Sequence, residues 1–352
     1  SDSVYIDRLS RIPAIMEMPY NDIIRKFIDM YAGRLRNQVS FMLSACNFYM
    51  PIFEEALDAY GLPLELRYLP IIESALNPSA VSRAGASGLW QFMIGTGKIY
   101  GLESNSLVDE RRDPIKATWA AARYLKEMYD IYGDWNLVIA AYNCGPGTIN
   151  KAIRRANGET DYWKIYNYLP KETRGYVPAF IAANYVMTYY CDHNICPMET
   201  NIPASTDTVQ VNKNLHFEQI ADLCNVPLDQ IKSLNPQYKK QMIPGDSKPY
   251  TLRLPIDAIS TFIDKQDTIY AHRADELFRN RKTVAVKEIT PSTRKTTTAV
   301  AGKGKLTYYT IKSGDTLSTI AGKYGVTIKD IQRWNGMSNT KIAAGKRLKI
   351  YK

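Results

Sequence analysis

The chain has 352 residues, enough for two or three domains and for a sizeable core. Apolar residues make up 45% and charged residues 23%, and no run of 18 apolar residues occurs, so a wholly disordered chain and a membrane-spanning helix are both excluded. The formal net charge of +10 is unevenly placed: residues 281–352 hold 16 Lys/Arg against 3 Asp/Glu, whereas the first 280 residues hold 29 against 32. A basic tail seeks a polyanion, whether nucleic acid, anionic lipid or an anionic wall polymer. Ser1-Asp2-Ser3-Val4 shows no charged n-region or apolar h-region, so the expectation is that any export signal has been removed or never existed.

In chain order, residues 1 to about 200 read as helical. Phe27, Met30, Tyr31 and Leu35 recur at helical spacing. Pro51 is expected to open a helix running through Phe53 and Leu57 to a stop at Gly61. Asp113-Pro114 forms an N-cap with proline at the first helical position, and Gly133 ends the amphipathic run through Trp119 to Tyr132. Asp134-Trp135 starts a helix through Ala141, and 174–190 is a further apolar helical stretch. After Pro203 the texture changes. Strand 208–211, helices 217–223 and 228–234 and strand 250–254 recur, at an offset of 100 residues, as strand 307–311, helices 317–324 and 328–334 and strand 347–350. Such a βααβ period marks a duplicated module. Residues 257–280 read as a helical connector. Residues 281–306, rich in Thr, Lys, Ser and Gly, read as a flexible basic tether with a mean reach of about 28 Å.

Five cysteines occur, none in a C-x-x-C pair. Cys191-Asp-His193-Asn-Ile-Cys196 hints at a metal, but no four-ligand set accompanies it, so the expectation is no metal and an ordinary disulfide or free thiols.

The chemistry concentrates in Leu66-Arg-Tyr-Leu69-Pro-Ile-Ile-Glu73-Ser74. Glu73 shares a helix stripe with Leu66 and Leu69, which should desolvate its carboxyl and raise its pKa toward neutrality, as a general acid requires. Downstream, Gly85-Ala-Ser-Gly88-Leu89-Trp90-Gln91-Phe92 offers glycines for close backbone approach to a ligand, stacking surface and an amide. Ala141-Tyr142-Asn143-Cys144-Gly145-Pro146-Gly147 ends a helix with a phenol, an amide and a tight turn.

With Asp109-Glu110-Arg111-Arg112-Asp113-Pro114 and Leu169-Pro170-Lys171-Glu172-Thr173-Arg174 leading to Tyr176-Val177-Pro178, these blocks resemble the lytic murein transglycosylases of lysozyme-like (SLT) fold, most of all the membrane-bound D group. The resemblance covers about 60–180, in the family's order. Ile94 departs from a usual proline and Cys144 from a usual small residue. The C-terminal copy resembles a LysM module through Tyr309, Gly314-Asp315-Thr316-Leu317, Ile320-Ala321, Trp334-Asn335 and Gly345-Lys-Arg-Leu348. In the earlier copy Asn214-Leu215-His216 replaces the Gly-Asp-Thr loop, so that copy reads as LysM-like in fold and doubtful as a binder.

The resemblance implies a mainly α, lysozyme-like catalytic domain over 1–203 (core about 60–190) and small α+β LysM modules, a degenerate one over 204–256 and a glycan-binding one over 307–352. It implies Glu73 as acid, then base, in breaking peptidoglycan strands without water. It implies substrate contacts by Ser74, Gly88, Trp90, Gln91, Tyr142, Asn143 and Tyr176, and glycan binding by Gly314, Asp315, Thr316 and Asn335. No cofactor and no nucleic acid are expected. A monomer is expected in the periplasm or envelope, with membrane attachment through a segment ahead of Ser1. Two rivals stay open: a muramidase with a second carboxylate, and a non-catalytic wall-binding protein.

Overall fold

Capping chemistry sets the helix ends that frame the site. The Asp113 carboxylate accepts from the amides of Ile115 (2.9 Å) and Lys116 (3.0 Å), opening the Pro114–Tyr132 helix, which Gly133 closes at φ 62°. Asp134 accepts from Leu137 N (2.8 Å) and opens Trp135–Cys144, one turn longer than expected. Lys171–Thr188 replaces the expected 174–190 run, with Glu172 in its first turn. The computed structural model describes residues 2–279, 306–337 and 339–351 of the chain, divided into the units Ser1–Ile289 and Thr290–Lys352.

Pro51 does not open a helix. It lies inside Arg36–Ala59, where it removes one amide donor. Buried Tyr49, Phe53, Ala56 and Leu57 flank it, and their packing holds the helix together across the missing bond. Phe53, Trp90, Leu125, Val138, Phe180 and Tyr185 are among the side chains filling the core of this mainly α domain.

From Thr206 the βααβ module forms. Thr206–Val211 pairs antiparallel with Tyr250–Pro255, and helices Phe217–Cys224 and Leu228–Leu234 lie between them in sequence. The second unit repeats the order, with Leu306–Thr310 paired to Arg347–Tyr351 and helices Leu317–Tyr324 and Ile328–Asn335. One device recurs in both copies. Asn235 donates to Ile231 O (2.9 Å) and Arg253 O (2.8 Å) and accepts from Arg253 N (2.8 Å). Asn335 does the same with Ile331 O (2.9 Å), Lys349 O (2.8 Å) and Lys349 N (2.7 Å). Beside the glycan contact expected of it, Asn335 has a structural part: its amide clamps a helix to the closing strand.

The expected connector over 257–280 is also corrected. Ile256–Asp264 and Gln266–Ala271 pack onto the first module, whose core includes Ala258, Phe262 and Ile269. Gln219 holds this segment by donating to Tyr270 O (3.1 Å) and His272 O (2.8 Å). The same core takes Leu107 and Val108 from the helical domain, where Asp109 N donates to Gln237 O (2.8 Å) and Leu107 O accepts from Lys239 N (2.8 Å). The expected tether falls, but for Leu306, outside the described residues.

Candidate active site

A 3₁₀ turn, Leu64–Tyr68, runs into the six-residue helix Leu69–Ser74. Residues three apart eclipse in a 3₁₀ turn, so the change of helix type keeps Leu66 in line with Leu69, and both are fully buried. Glu73 follows one α-turn after Leu69 and is half-buried. Ala75 (φ 51°) and Leu76 (φ 60°) then turn the chain through two successive left-handed residues. Such backbone strain persists only where surrounding contacts enforce it. Here Leu76 is buried, and the Ser74 hydroxyl bonds Pro70 O (3.0 Å) and Leu89 O (2.9 Å).

Glu73 lines a cleft of about 420 Å³ with Ser74, Gln91, Tyr31, Gln38 and Ser82, and among the described residues no other acid lines it. Desolvation pushes the Glu73 carboxyl up to about 7. A hydrogen bond donated by the Tyr176 hydroxyl to Glu73 Oε1 pulls against that rise, and the charge of Glu172 adds to it. Tyr176 and Tyr142 are themselves held well above the ordinary phenol value, first by burial and then by Glu73, so both stay protonated donors. The Tyr142 hydroxyl donates to Trp90 O (2.6 Å).

Two expectations change here. Trp90 offers no stacking surface: it is fully buried against Phe53, with ring centroids 5.3 Å apart, and its Nε1 donates to Thr118 Oγ1 (2.9 Å). Its carbonyl, not its ring, reaches the site. Gly88 does not give a ligand room either. At φ +88° its missing Cβ makes space for the carbonyl of Arg111, 1.8 Å from where a Cβ would sit. Gln91 lies on the cleft at φ 49°, its amide donating to Gly88 O (2.8 Å) and Ala80 O (3.2 Å). Asn143 accepts from Thr173 Oγ1 (2.9 Å), joining the end of one site helix to the start of the other.

The residue that shapes the cleft wall was missed. Arg111, nearly buried, donates from Nη1 to Gly85 O (2.8 Å) and Phe92 O (3.0 Å), the two ends of the 85–92 loop. Asp109 holds it with paired bonds from Nε (2.9 Å) and Nη2 (2.8 Å). Charge-assisted, two-point bonds fix an arginine strongly. The only signal was the charged block 109–113 itself, which says nothing of where its side chains point.

In the second unit, Asp315 accepts from the Tyr309 hydroxyl (2.8 Å) and Lys312 N (2.8 Å), Gly314 takes φ +87°, and Thr316 caps the Leu317–Tyr324 helix. These bonds shape the turn. In the first copy the equivalent turn is itself a strand, Asn214–His216, paired with Met242–Pro244. Among the described residues no group of three His, Cys, Asp or Glu side chains is placed to hold a metal, and Cys191 and Cys196 are exposed thiols.

Three family models match the chain: Transglycosylase SLT domain over residues 50–165, Lytic transglycosylase MltD, LysM-like domain over 205–271, and LysM domain over 309–350. The membrane-bound lytic murein transglycosylase D of Escherichia coli (strain K12) is 32% identical over 341 residues, 95% of this chain and 70% of that protein. The soluble lytic murein transglycosylase of the same strain is 33% identical over 124 residues, 34% of this chain and 19% of that protein. An autolysin of Enterococcus faecalis is 51% identical over 49 residues, 14% of this chain and 7% of that protein. With a lysozyme-like helical domain, a cleft centred on one glutamate, and this likeness along nearly its whole length, the chain belongs to the lytic murein transglycosylases of the membrane-bound D type.

Proposed function

We propose that this protein cleaves the β-1,4 bond between N-acetylmuramic acid and N-acetylglucosamine in peptidoglycan without water, leaving 1,6-anhydromuramic ends. The observation that carries this reading is Glu73: among the described residues it is the one acid lining the cleft, lifted to about 7 and bonded by a buried phenol. In its protonated form it gives a proton to the departing glycosidic oxygen. As a carboxylate it takes the proton of the muramic C6 hydroxyl, whose oxygen closes on C1. No net proton is gained or lost, which suits a single group working near neutrality. A hydrolase would pair the acid with a second carboxylate, and Glu172, exposed in the first turn of its helix, is a poor one. Mass spectrometry of the muropeptides released from sacculi tests this. Anhydro ends are expected, and reducing ends would assign a muramidase.

In this reading Tyr176 orients Glu73, Ser74 and Gln91 meet substrate at the cleft, Tyr142 braces the Trp90 carbonyl, and Gly88 and Asn143 hold the wall. Tyr176→Phe removes a bond that favours the charged carboxylate, so the pKa of Glu73 should rise. The alkaline limb of the pH–rate profile is then expected to move to higher pH, whereas a purely structural role would lower the rate without moving the limb.

Residues 1–203 form the catalytic domain and 307–352 a wall-binding LysM module, with Gly314, Asp315 and Thr316 shaping its glycan loop. The first module extends to about residue 271, and its paired Asn214–His216 turn favours a supporting role over glycan binding. The partner is peptidoglycan rather than nucleic acid, and the protein works as a monomer in the envelope, on the periplasmic side of a membrane it is attached to. Linking binder to catalyst raises local substrate concentration without altering the chemistry. Deleting 281–352 should weaken pull-down by insoluble sacculi, less so at high salt, and leave cleavage of short soluble glycans nearly unchanged. Equal loss on both substrates would overturn the tethered-binder reading.

A further inference from the structure

A second cleft, of about 360 Å³, opens between the Pro146–Arg155 helix and the 167–170 turn that leads into Lys171–Thr188. Among the described residues three cations line it and no acid does: Lys151 and Arg155, one turn apart on the first helix, and Arg174 on the second. Arg174 is preset, with Nε donating to Leu169 O (2.9 Å), Nη2 to Asn167 O (2.9 Å), and its guanidinium 5.9 Å from the centre of the Tyr166 ring. Lys151 and Arg155 are exposed and make no ion pair among the described residues, whereas nearby Lys164 pairs with Glu159 at 3.1 Å. Tyr168, 45% exposed, adds an aromatic face.

The two helices that wall this cleft are tied by chain and by hydrogen bonds to residues around Glu73. Tyr142 and Asn143 come just before the Gly145 turn that starts the first helix, and Tyr176 lies two residues after Arg174. The Thr173–Asn143 bond ties the two walls together. In a stem-bearing peptidoglycan strand the sugars are neutral, because the lactyl carboxyl of each muramic acid is taken up in the amide bond to the stem. The strand's fixed negative charges are carboxylates of the peptide stems carried on the lactyl groups of muramic acid. Three cations without acidic partners beside a glycan-cleaving site therefore match the stem and not the sugar chain.

We propose that the Lys151–Arg155–Arg174 cleft binds a carboxylate of the peptide stem, making the enzyme prefer stem-bearing over stem-free strands. This rests on the lytic reading, so the test separates the two. Arg174 holds a backbone turn and is left intact. Calorimetric titration of Glu73→Gln protein with a stem-bearing tetrasaccharide and its stem-free counterpart, the lactyl carboxyls of the latter capped as simple amides, should show the first binding about tenfold tighter, the scale of one or two screened charge-assisted bonds. Adding Lys151→Gln and Arg155→Gln should cut that preference to about twofold, what Arg174 alone can hold, and leave the stem-free affinity unchanged. A preference undiminished in the triple variant, or absent before the two changes, overturns the proposal. With Glu73 restored, the Lys151→Gln/Arg155→Gln enzyme should cleave stem-free strands at the parent rate. Absence of anhydro product from either substrate would count against the lytic reading alone, and the binding comparison would still decide the role of the cleft.

Discussion

Glu73→Gln is expected to abolish release of anhydro-muropeptides and to leave the fold intact. Glutamine keeps the size of the side chain and an oxygen that can accept from Tyr176, but it can neither give nor take the proton. General acid–base catalysis is typically worth about 10²–10⁴-fold, and here one group supplies both steps, so a loss at the upper end or beyond follows. Product quantification beside circular dichroism checks it, and near-parental release would remove Glu73 from the mechanism. Because the carboxyl is lifted to about 7 and must begin protonated, the parent rate should also fall as pH rises through about 7. A carboxyl at its ordinary value would lose its proton, and the rate, far lower on the scale.

Gly88→Ala should be nearly as damaging, through shape and not chemistry. The added Cβ would lie 1.8 Å from Arg111 O and 2.7 Å from Arg111 C, on a backbone at φ +88°. Those are main-chain atoms, and Arg111 is pinned by Asp109, Gly85 and Phe92, so no flexible side chain can give way. Crowding and left-handed strain together should destabilise by about 3 kcal/mol or more. The displaced loop would carry Gln91 and the Leu89 carbonyl away from Ser74, so activity should fall with stability. Gly85→Ala makes the comparison: φ is +90° there, but nothing lies within 4 Å, and a loss of only about 1 kcal/mol is expected. Thermal melts of the two variants beside activity would check both; equal losses would mean that the Arg111 carbonyl does not set the wall.

These two residues mark what was legible in the sequence and what was not. Glu73 could be read because its apolar stripe is local: Leu66 and Leu69 lie within seven residues. Asp113-Pro114 and Gly133 could be read because a cap acts on the next turn of the same helix. The role of Gly88 could not, since its neighbour Arg111 is 23 positions away. Trp90 was misread for the same reason. In a loop with no period, nothing tells whether a ring faces solvent or core, and its partner Thr118 lies a helix away. Pro51 shows the reverse, a strong local signal overridden by packing on either side of it. The duplicated modules were legible as a pattern, but the Asn335 clamp needed the strand that only the fold brings beside it.

The turn over 104–109 bears on how these parts can be exchanged. Leu107 and Val108 belong by sequence to the helical domain, yet they lie in the same core as Phe217, Tyr238 and Leu252. A crossover at 203/204, where the texture of the chain changes, would therefore transfer a module with an open side and leave behind a domain with two apolar residues uncovered. Neither product is self-sufficient, and the first module and the helical domain would have to be inherited together. The C-terminal module differs: Tyr309, Leu317, Ile331, Trp334 and Ile350 close its core with its own residues. Of the two copies of one motif, only that one is portable.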